Sequence, residues 1–269
     1  MKIEKENLWE NTPGKCEETP CITAYIPEVK KSNGAIVILP GGGYEVRAPH
    51  EGEEYAKFFA ENGITAFVCD YRVSPHRFPL PLLDSRRAMR FVRHNAEKYA
   101  LDKEQIYIMG SSAGGHLAAL TCTYKSEIEF EGIDETDKES YMPNGQILCY
   151  PVIGLLGKER GHIGSGKNLL GDELADYGDE LSPYLIAEEG TPKAFIWHTF
   201  ADDGVNVINS LEYAEKLRKI NTPAEMHIFQ NGGHGLGLAE NDCHIAQWKK
   251  LLINWLKLNG FFNGLDICK

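Results

Sequence analysis

A chain of 269 residues is long enough to bury one large hydrophobic core, and α/β proteins of this size commonly form one domain. We therefore predict a single domain over residues 1–269. Its formal net charge of −11 argues against nucleic acid or an anionic membrane as a partner, because both bind basic surfaces. The seven cysteines include no C-x-x-C pair, and free thiols are favoured over a disulfide between Cys16 and Cys21. Residues 1–7 lack the apolar stretch of a signal peptide, so a cytoplasmic location is expected.

The predicted strands and helices alternate along the chain. Residues 1–20 are polar, contain two prolines and are predicted to form an irregular lead-in. Residues 35–39 form a continuous apolar run, which suits a strand buried on both faces of a sheet. The other predicted strands lie at 21–26, 64–71, 105–109, 146–152, 194–199 and 224–229, and predicted helices lie at 50–62, 80–99, 205–220 and 240–258. This alternation predicts an α/β fold with a mostly parallel central sheet and helices on both faces.

Two segments interrupt the alternation. The segment 125–145 is acidic, and the segment 154–190 is rich in glycine and proline. Both follow strands whose ends should lie near a functional site. We therefore expect these segments to form loops that shape a substrate pocket.

Gly110-Ser111-Ser112-Ala113-Gly114 fits the pattern G-x-S-x-G and follows a predicted strand. In this pattern the serine lies on a strained turn between a strand and a helix, which exposes its hydroxyl group. The glycines allow close backbone packing around the turn, and the N-terminus of the following helix favours developing negative charge. We interpret Ser112 as a catalytic nucleophile.

A serine hydroxyl becomes a strong nucleophile when a base accepts its proton and a third group orients that base. In the chain order of α/β-hydrolases, the acid and the histidine follow the serine. His234 lies in a glycine-rich loop directly after a predicted strand, and we predict that it is the base. Two carboxylates, Asp202 and Asp203, follow the predicted strand 194–199. The H-x-x-x-D spacing from His198 resembles the H-G-x-x-D loop common in the α/β-hydrolase fold, and this resemblance favours Asp202 as the acid, whereas Asp203 would cap the next helix.

Acyl transfer also needs hydrogen-bond donors for the negatively charged oxygen of the tetrahedral intermediate. The amide of Ala113, the residue after the nucleophile, is one predicted donor. The glycine run 41–43 follows an early central strand, and we predict that the amides of Gly42 and Gly43 are the other donors. Because glycine has no side chain, this loop can present its amides to the substrate without obstruction.

These motifs resemble the α/β-hydrolase superfamily and, within it, lipase-like esterases of the acetyl-xylan-esterase and sugar acetyl-hydrolase branch, over residues 20–258. Pro40 replaces the histidine of the H-G-G-G loop that such esterases often carry, which leaves the amide donors intact. The other resembling motifs are Asp70-Tyr71-Arg72, Asn168-Leu169-Leu170-Gly171, Trp197-His198-Thr199 with Asp202, Asn209-Ser210-Leu211 and Gly232-Gly233-His234-Gly235-Leu236. The resemblance implies a serine carboxylesterase with an acyl-enzyme intermediate that deacetylates small acetylated sugars or oligosaccharides. It further implies an α/β-hydrolase fold without a large cap domain, and no metal or organic cofactor.

Two alternative functions remain open from the sequence. The stretch from His198 to Asp203 also resembles prolyl-oligopeptidase-like sequences, which favours a serine peptidase of the same fold, although those enzymes usually carry a large extra domain. The second alternative is a hydrolase-fold protein that binds a ligand without turning it over, because a fold alone does not determine function. The expected partner is a small ester, and a homo-oligomer is compatible with the sequence.

Overall fold

A sheet of eight strands organises the structure, a computed structural model that describes residues 1–14, 18–131 and 134–262. The strands are β1 (Lys2–Asn7), β2 (Cys21–Ile26), β3 (Ala35–Leu39), β4 (Thr65–Asp70), β5 (Ile106–Ser111), β6 (Gly145–Cys149), β7 (Ala194–Thr199) and β8 (Ala224–Phe229). Their order across the sheet is β1-β2-β4-β3-β5-β6-β7-β8. Strand β2 is antiparallel to both of its neighbours, and the pairs from β4 to β8 are parallel. The predicted mostly parallel sheet is confirmed.

Helices cover both faces of this sheet. They are α1 (Glu53–Glu61), α2 (Leu80–His94), α3 (Ser112–Thr123), α4 (Ile163–Leu170), α5 (Leu174–Tyr177), α6 (Pro183–Ile186), α7 (Ile208–Lys219) and α8 (Trp248–Leu258), with short 3₁₀ helices at Pro49–Glu51, Glu135–Lys138, Gly171–Glu173 and Ile245–Gln247. Within the described residues, no helix combines the length and apolarity needed to cross a bilayer.

The side chains of β3 show how the sheet separates two hydrophobic cores. Val37 and Leu39 pack into the core that contains residues of α2, α3 and α7, whereas Ile36 and Ile38 pack into the core that contains residues of α1 and α8. Successive side chains of a strand point to opposite faces. A strand buried on both faces therefore needs an apolar residue at every position, which is the reason for its continuous apolar run.

The prediction of an irregular lead-in is wrong for residues 2–7, which form β1. This strand pairs with β2 at the edge of the sheet, with Lys2 opposite Ile26 and Asn7 opposite Cys21. The strand was not predicted because its sequence, KIEKEN, is mostly charged and lacks the apolar pattern of a buried strand. Charged residues are common on edge strands, where they discourage pairing with other proteins. Cys16 lies outside the described residues.

Two predicted elements end earlier than expected. Helix α2 ends at His94 instead of residue 99, and β6 ends at Cys149 instead of residue 152. Strand β6 stops because Tyr150 adopts a positive φ of 37°, which turns the chain out of the extended conformation. The segment between β6 and β7 holds the short helices α4 to α6 and the 3₁₀ helix Gly171–Glu173, in line with the prediction of no large cap.

Candidate active site

Ser112 lies at the turn between β5 and α3, with a positive φ of 51°. This conformation is costly for a residue with a side chain, and surrounding contacts must hold it in place. Gly110 makes the tight turn possible, because a Cβ atom there would lie 2.1 Å from the carbonyl oxygen of Gly114. The side chain of Ser112 is therefore held at the first turn of α3, at the carboxyl ends of the parallel strands.

Ser112, His234 and Asp202 form a continuous series of hydrogen bonds. His234 Nε2 lies 2.8 Å from Ser112 Oγ, and His234 Nδ1 lies 2.8 Å from Asp202 Oδ2. Since a carboxylate only accepts hydrogen bonds, the proton of neutral His234 is on Nδ1, and Nε2 can accept the proton of the serine hydroxyl. His234 is 122 positions from Ser112 and 32 positions from Asp202 in the sequence, and the fold brings the three side chains into the geometry that a serine nucleophile requires.

Asp202 occupies a buried and strongly hydrogen-bonded position. Its Oδ1 accepts the amides of Gly204 and Val205 at 2.9 and 2.8 Å, and its Oδ2 also lies 3.2 Å from Nε2 of the buried His198. Burial by itself raises the pKa of Asp202, but the hydrogen bonds from His198, His234 and Val205 outweigh burial and hold the pKa well below its usual range. Asp202 is therefore a carboxylate at neutral pH. The neighbouring Asp203 is exposed to solvent.

The loop after β3 holds Gly42 and Gly43 with their carbonyl groups already occupied. The carbonyl of Gly42 accepts the amides of Glu45 and Val46, and the carbonyl of Gly43 accepts the side-chain amide of Asn168 at 2.9 Å. Gly42 has a φ of 122°, a conformation that L side chains rarely adopt, and a Cβ atom there would lie 2.3 Å from the Val46 carbonyl oxygen.

The amides of these two glycines are available to a ligand. Within the described residues, neither the Gly42 nor the Gly43 N–H donates to a protein acceptor. Ala113 is the second residue of α3, and the first amides of a helix lack partners within the helix. The three predicted oxyanion donors are thus unengaged among the described residues, two in the glycine loop after β3 and one in the first turn of α3.

A cavity of about 290 Å³ lies next to this series of side chains. Its lining includes Arg160, His162, Gly204 and Asn206. A Cβ atom on Gly204 would lie 2.8 Å from Cβ of His234, so the cavity wall packs directly on the histidine.

The cavity presents hydrogen-bond donors. Burial, and then the nearby His234, lower the pKa of His162, so its ring is neutral at neutral pH. Nδ1 of His162 accepts the Ser165 amide, which places the ring proton on Nε2. Asn206 uses its oxygen to accept the Ile208 amide, which leaves its NH₂ group for a ligand. The same lining holds the carboxylates of Glu159 and Asp203 as acceptors, so the cavity suits a ligand that carries both hydrogen-bond donors and acceptors.

Comparison with known proteins identifies the family. The model of the BD-FAE family matches residues 22–217, which include Ser112, Asp202 and the glycine loop. The chain belongs to the BD-FAE family.

The relatives of this BD-FAE chain are esterases and xylan-related enzymes. It is 34% identical to an endo-1,4-β-xylanase B of Butyrivibrio fibrisolvens, over 92% of this chain and 40% of that protein. It is 32% identical to an acetylxylan esterase of Xylanibacter ruminicola, over 88% of this chain and 48% of that protein. The BD-FAE chain thus spans less than half the length of these two relatives.

A solved structure matches almost the whole chain. The acetyl ester-xyloside bifunctional hydrolase of Caldicellulosiruptor lactoaceticus is 39% identical to this chain, with a TM-score of 0.90. The match covers 97% of this chain and 97% of the hydrolase chain. Together with the sequence relatives, this match confirms the predicted α/β-hydrolase fold and the acetylxylan-esterase branch.

Three side chains that support the site were not predicted from the sequence: Glu51, Tyr150 and Asn168. Asn168 lies in the motif Asn168-Leu169-Leu170-Gly171 that resembles this branch, which was a signal without a role attached. Glu51 and Tyr150 lie in segments predicted as an ordinary helix and strand. Their positions in the BD-FAE chain depend on long-range contacts that no local pattern encodes.

Proposed function

We propose that this chain is a serine carboxylesterase that removes acetyl groups from small acetylated sugars or oligosaccharides. The observation that carries the proposal is the hydrogen-bonded series Ser112–His234–Asp202 beside three unengaged amides. Ser112 is assigned as nucleophile, His234 as base and Asp202 as the group that orients the histidine. Gly42, Gly43 and Ala113 are assigned as oxyanion donors.

The acylation step follows from this arrangement. Ser112 Oγ attacks the ester carbonyl carbon while His234 Nε2 accepts the hydroxyl proton. The carbonyl oxygen becomes an oxyanion, which the amides of Gly42, Gly43 and Ala113 stabilise. Asp202 stabilises the imidazolium that forms, because its low pKa keeps it ionised. The intermediate then collapses, His234 protonates the departing alcohol, and acetyl-Ser112 remains.

Deacylation repeats the same proton transfers with water. His234 Nε2 accepts a proton from a water molecule, whose oxygen attacks the acetyl carbonyl carbon. A second oxyanion forms at the same amides. Collapse of this intermediate returns the proton from His234 to Ser112 Oγ and releases acetic acid, which loses its proton to the solvent as acetate. These steps use only groups of the chain and water.

The substrate class is inferred from the surroundings of His234 and from the relatives. The departing alcohol takes its proton from His234, so the alcohol portion of the bound ester must lie near the His234 ring. The donors of His162 and Asn206 in the neighbouring cavity would bind the oxygen atoms of a sugar. The names of the acetylxylan esterase and the acetyl ester-xyloside hydrolase among the relatives support the same assignment.

Hydrolysis of p-nitrophenyl acetate, butyrate and octanoate tests the reaction, with peracetylated xylose and a prolyl amide assayed in parallel. We expect acetate release that falls steeply with acyl length and disappears in Ser112→Ala. Ser126→Ala, a change at an exposed serine, is the matched control and should keep wild-type activity. Cleavage of the amide would favour a peptidase, and ligand binding without turnover would favour a binding protein.

A further inference from the structure

Glu51 is a buried carboxylate that forms no ion pair with a Lys or Arg in the part of the chain that the structure describes. The residue is 2% exposed. Among the described residues, its nearest cationic candidate is His50, whose Nε2 lies 3.8 Å from Glu51 Oε1. A buried carboxylate is costly unless strong hydrogen bonds replace its hydration. Two donors fulfil that requirement: the Gly41 amide at 2.8 Å from Oε2 and the Tyr150 hydroxyl at 2.8 Å from Oε1.

The Tyr150 hydroxyl connects Glu51 to the loop that carries His234. Its oxygen accepts the amide of Gly237 at 2.9 Å, and its ring packs edge-on against the His234 ring with the centroids 5.2 Å apart. His50 forms a second connection, since its Nε2 lies 3.0 Å from the Gly235 carbonyl oxygen. The short 3₁₀ helix Pro49–Glu51 is thus bonded to the loop on both sides of Leu236.

A directional chain of hydroxyl groups also reaches Glu51 from the nucleophile turn. Ser111 Oγ lies 3.0 Å from the Tyr55 hydroxyl, which lies 3.1 Å from the Tyr150 hydroxyl. Tyr150 has one proton and donates it to Glu51, so Tyr55 must donate to Tyr150, and Ser111 must donate to Tyr55. The donation from Tyr150 to Glu51 thus fixes the direction of the other two bonds.

On the other side, Glu51 holds the loop that carries the assigned oxyanion donors. Its Oε2 accepts the Gly41 amide, and the Gly41 carbonyl accepts the Ala48 amide at 2.9 Å. The two bonds restrain the peptide groups on both sides of Gly41. The second of these peptides contains the Gly42 N–H, so its direction depends on this restraint.

We propose that Glu51 is a positioning residue that holds the oxyanion loop and the His234 loop at a fixed separation. This inference rests on the proposed function of Gly42 and His234. Ester hydrolysis needs both groups to meet one substrate, and a displacement of about 1 Å in such an arrangement can lower a rate roughly 100-fold. Glu51 bonds the oxyanion loop directly at Gly41 and reaches the His234 loop through the Tyr150 hydroxyl. Among the described residues, no hydrogen bond joins the side chain of Ser112, Asp202 or His234 to the oxyanion loop.

Glu51→Ala, Glu51→Gln and Tyr150→Phe test the proposal, with Glu53→Gln as a matched control on the exposed face of the same segment. We measure kcat and KM for p-nitrophenyl acetate and inhibition by a trifluoromethyl ketone, which forms a tetrahedral oxyanion adduct with a serine. For Glu51→Ala we expect kcat to fall roughly 10- to 100-fold with KM nearly unchanged, and ketone binding to weaken by a similar factor. Glu51→Gln should retain most of the wild-type activity, because glutamine can accept from Gly41 and donate to Tyr150, whose hydroxyl then donates to Tyr55 in the reverse direction.

Amide hydrogen exchange gives a measurement that does not depend on turnover. Peptides covering 41–48 and 232–238 should both exchange faster in Glu51→Ala and Tyr150→Phe, while peptides of α2 should not change. Unchanged exchange in either loop, or unchanged kcat and ketone binding in folded Glu51→Ala, would overturn the proposal. If Glu51→Ala does not fold, the same outcomes in Tyr150→Phe decide. A wild-type protein without esterase activity would instead refute the proposed function, and the exchange experiment would still test the coupling of the loops.

Discussion

A Cβ atom on Gly114 would lie only 2.1 Å from the carbonyl oxygen of Leu39. Gly114 is in the first turn of α3 and Leu39 is the last residue of β3, so the turn at Ser112 packs directly on the strand that leads into the glycine loop 41–43. Backbone atoms cannot move aside as a flexible side chain can. This contact therefore determines how closely the serine turn and the glycine loop approach each other.

Replacing Gly114 with alanine should destabilise the protein severely. The new methyl group must displace α3 from β3, and we expect the free energy of unfolding to fall by about 3 kcal/mol or more, because close-packed backbone cannot relax locally. Urea unfolding measures the change. Gly164→Ala is the matched control, since its Cβ atom would contact nothing closer than 3.7 Å in an exposed part of α4. It should leave stability unchanged or raise it slightly. Similar losses in both variants would contradict the steric argument.

Asp202→Asn should lower kcat for p-nitrophenyl acetate roughly 10³- to 10⁴-fold, because an amide cannot hold His234 in the required tautomer or stabilise its cation. Asp203→Asn makes the same chemical change one residue later, at an exposed carboxylate. We expect its kcat to stay within about threefold of the wild type. Steady-state kinetics of the two variants distinguish the two assignments. A larger loss in Asp203→Asn would reverse them.

Loss of the Asp84 carboxylate should be among the most destabilising changes outside the site. Asp84 accepts from Nε, Nη2 and the amide of Arg72 and from Nε1 of Trp9, all at 2.8–2.9 Å, and both members of the ion pair are buried. Asp84→Ala leaves the buried Arg72 charge without its carboxylate and with the Pro13 carbonyl as its remaining acceptor, which costs about 3–5 kcal/mol. Thermal or urea unfolding tests this expectation.

The exposed pair between Glu53 and Lys57 in α1 provides the comparison. Glu53→Ala should change stability by less than about 1 kcal/mol, because water screens the interaction. A loss in Asp84→Ala no larger than that in Glu53→Ala would show that the buried pair contributes little.

His116 should make the protein less stable in mild acid. Burial lowers the pKa of His116 to about 4, where its Nδ1 accepts the Tyr44 hydroxyl and its Nε2 donates to the Leu181 carbonyl. The folded pKa lies below the unfolded value of about 6.5, so the unfolded state binds more protons between these pH values. Stability should therefore fall as the pH drops from 6.5 to 4, by about 3 kcal/mol from this residue.

Urea unfolding at several pH values, compared between wild type and His116→Gln, isolates this contribution. Glutamine does not titrate, so its stability curve should be flatter between pH 6.5 and 4, whatever its absolute stability. Parallel curves for the two proteins would show that His116 is not the source of the acid sensitivity. The carboxylate of Asp202 acts in a different window, because its pKa is lowered and its contribution is lost only at more acidic pH.

Part of the fold and of the candidate site could be predicted from the sequence, because it depends on steric and periodic constraints between residues that are close in the chain. The continuous apolar run of β3 predicts a strand buried on both faces, and G-x-S-x-G predicts the turn at Ser112, because both depend on residues within a few positions of one another. The glycine run at 41–43 and the glycines around His234 likewise indicated loops at the strand ends. These predictions needed only local backbone geometry and the alternation of elements.

Tertiary structure decided the features that depend on distant partners. Lys2–Asn7 is a strand only because β2 is beside it, and His234 bonds Asp202 instead of Asp203 because the first carboxylate is buried by the Gly204–Val205 amides. Glu51 and Tyr150 are 99 positions apart, and their bond exists only once the 3₁₀ helix Pro49–Glu51 meets the turn that follows β6. Such contacts leave no periodic trace in the chain, because their energy depends on burial and on partners that only the folded protein brings together.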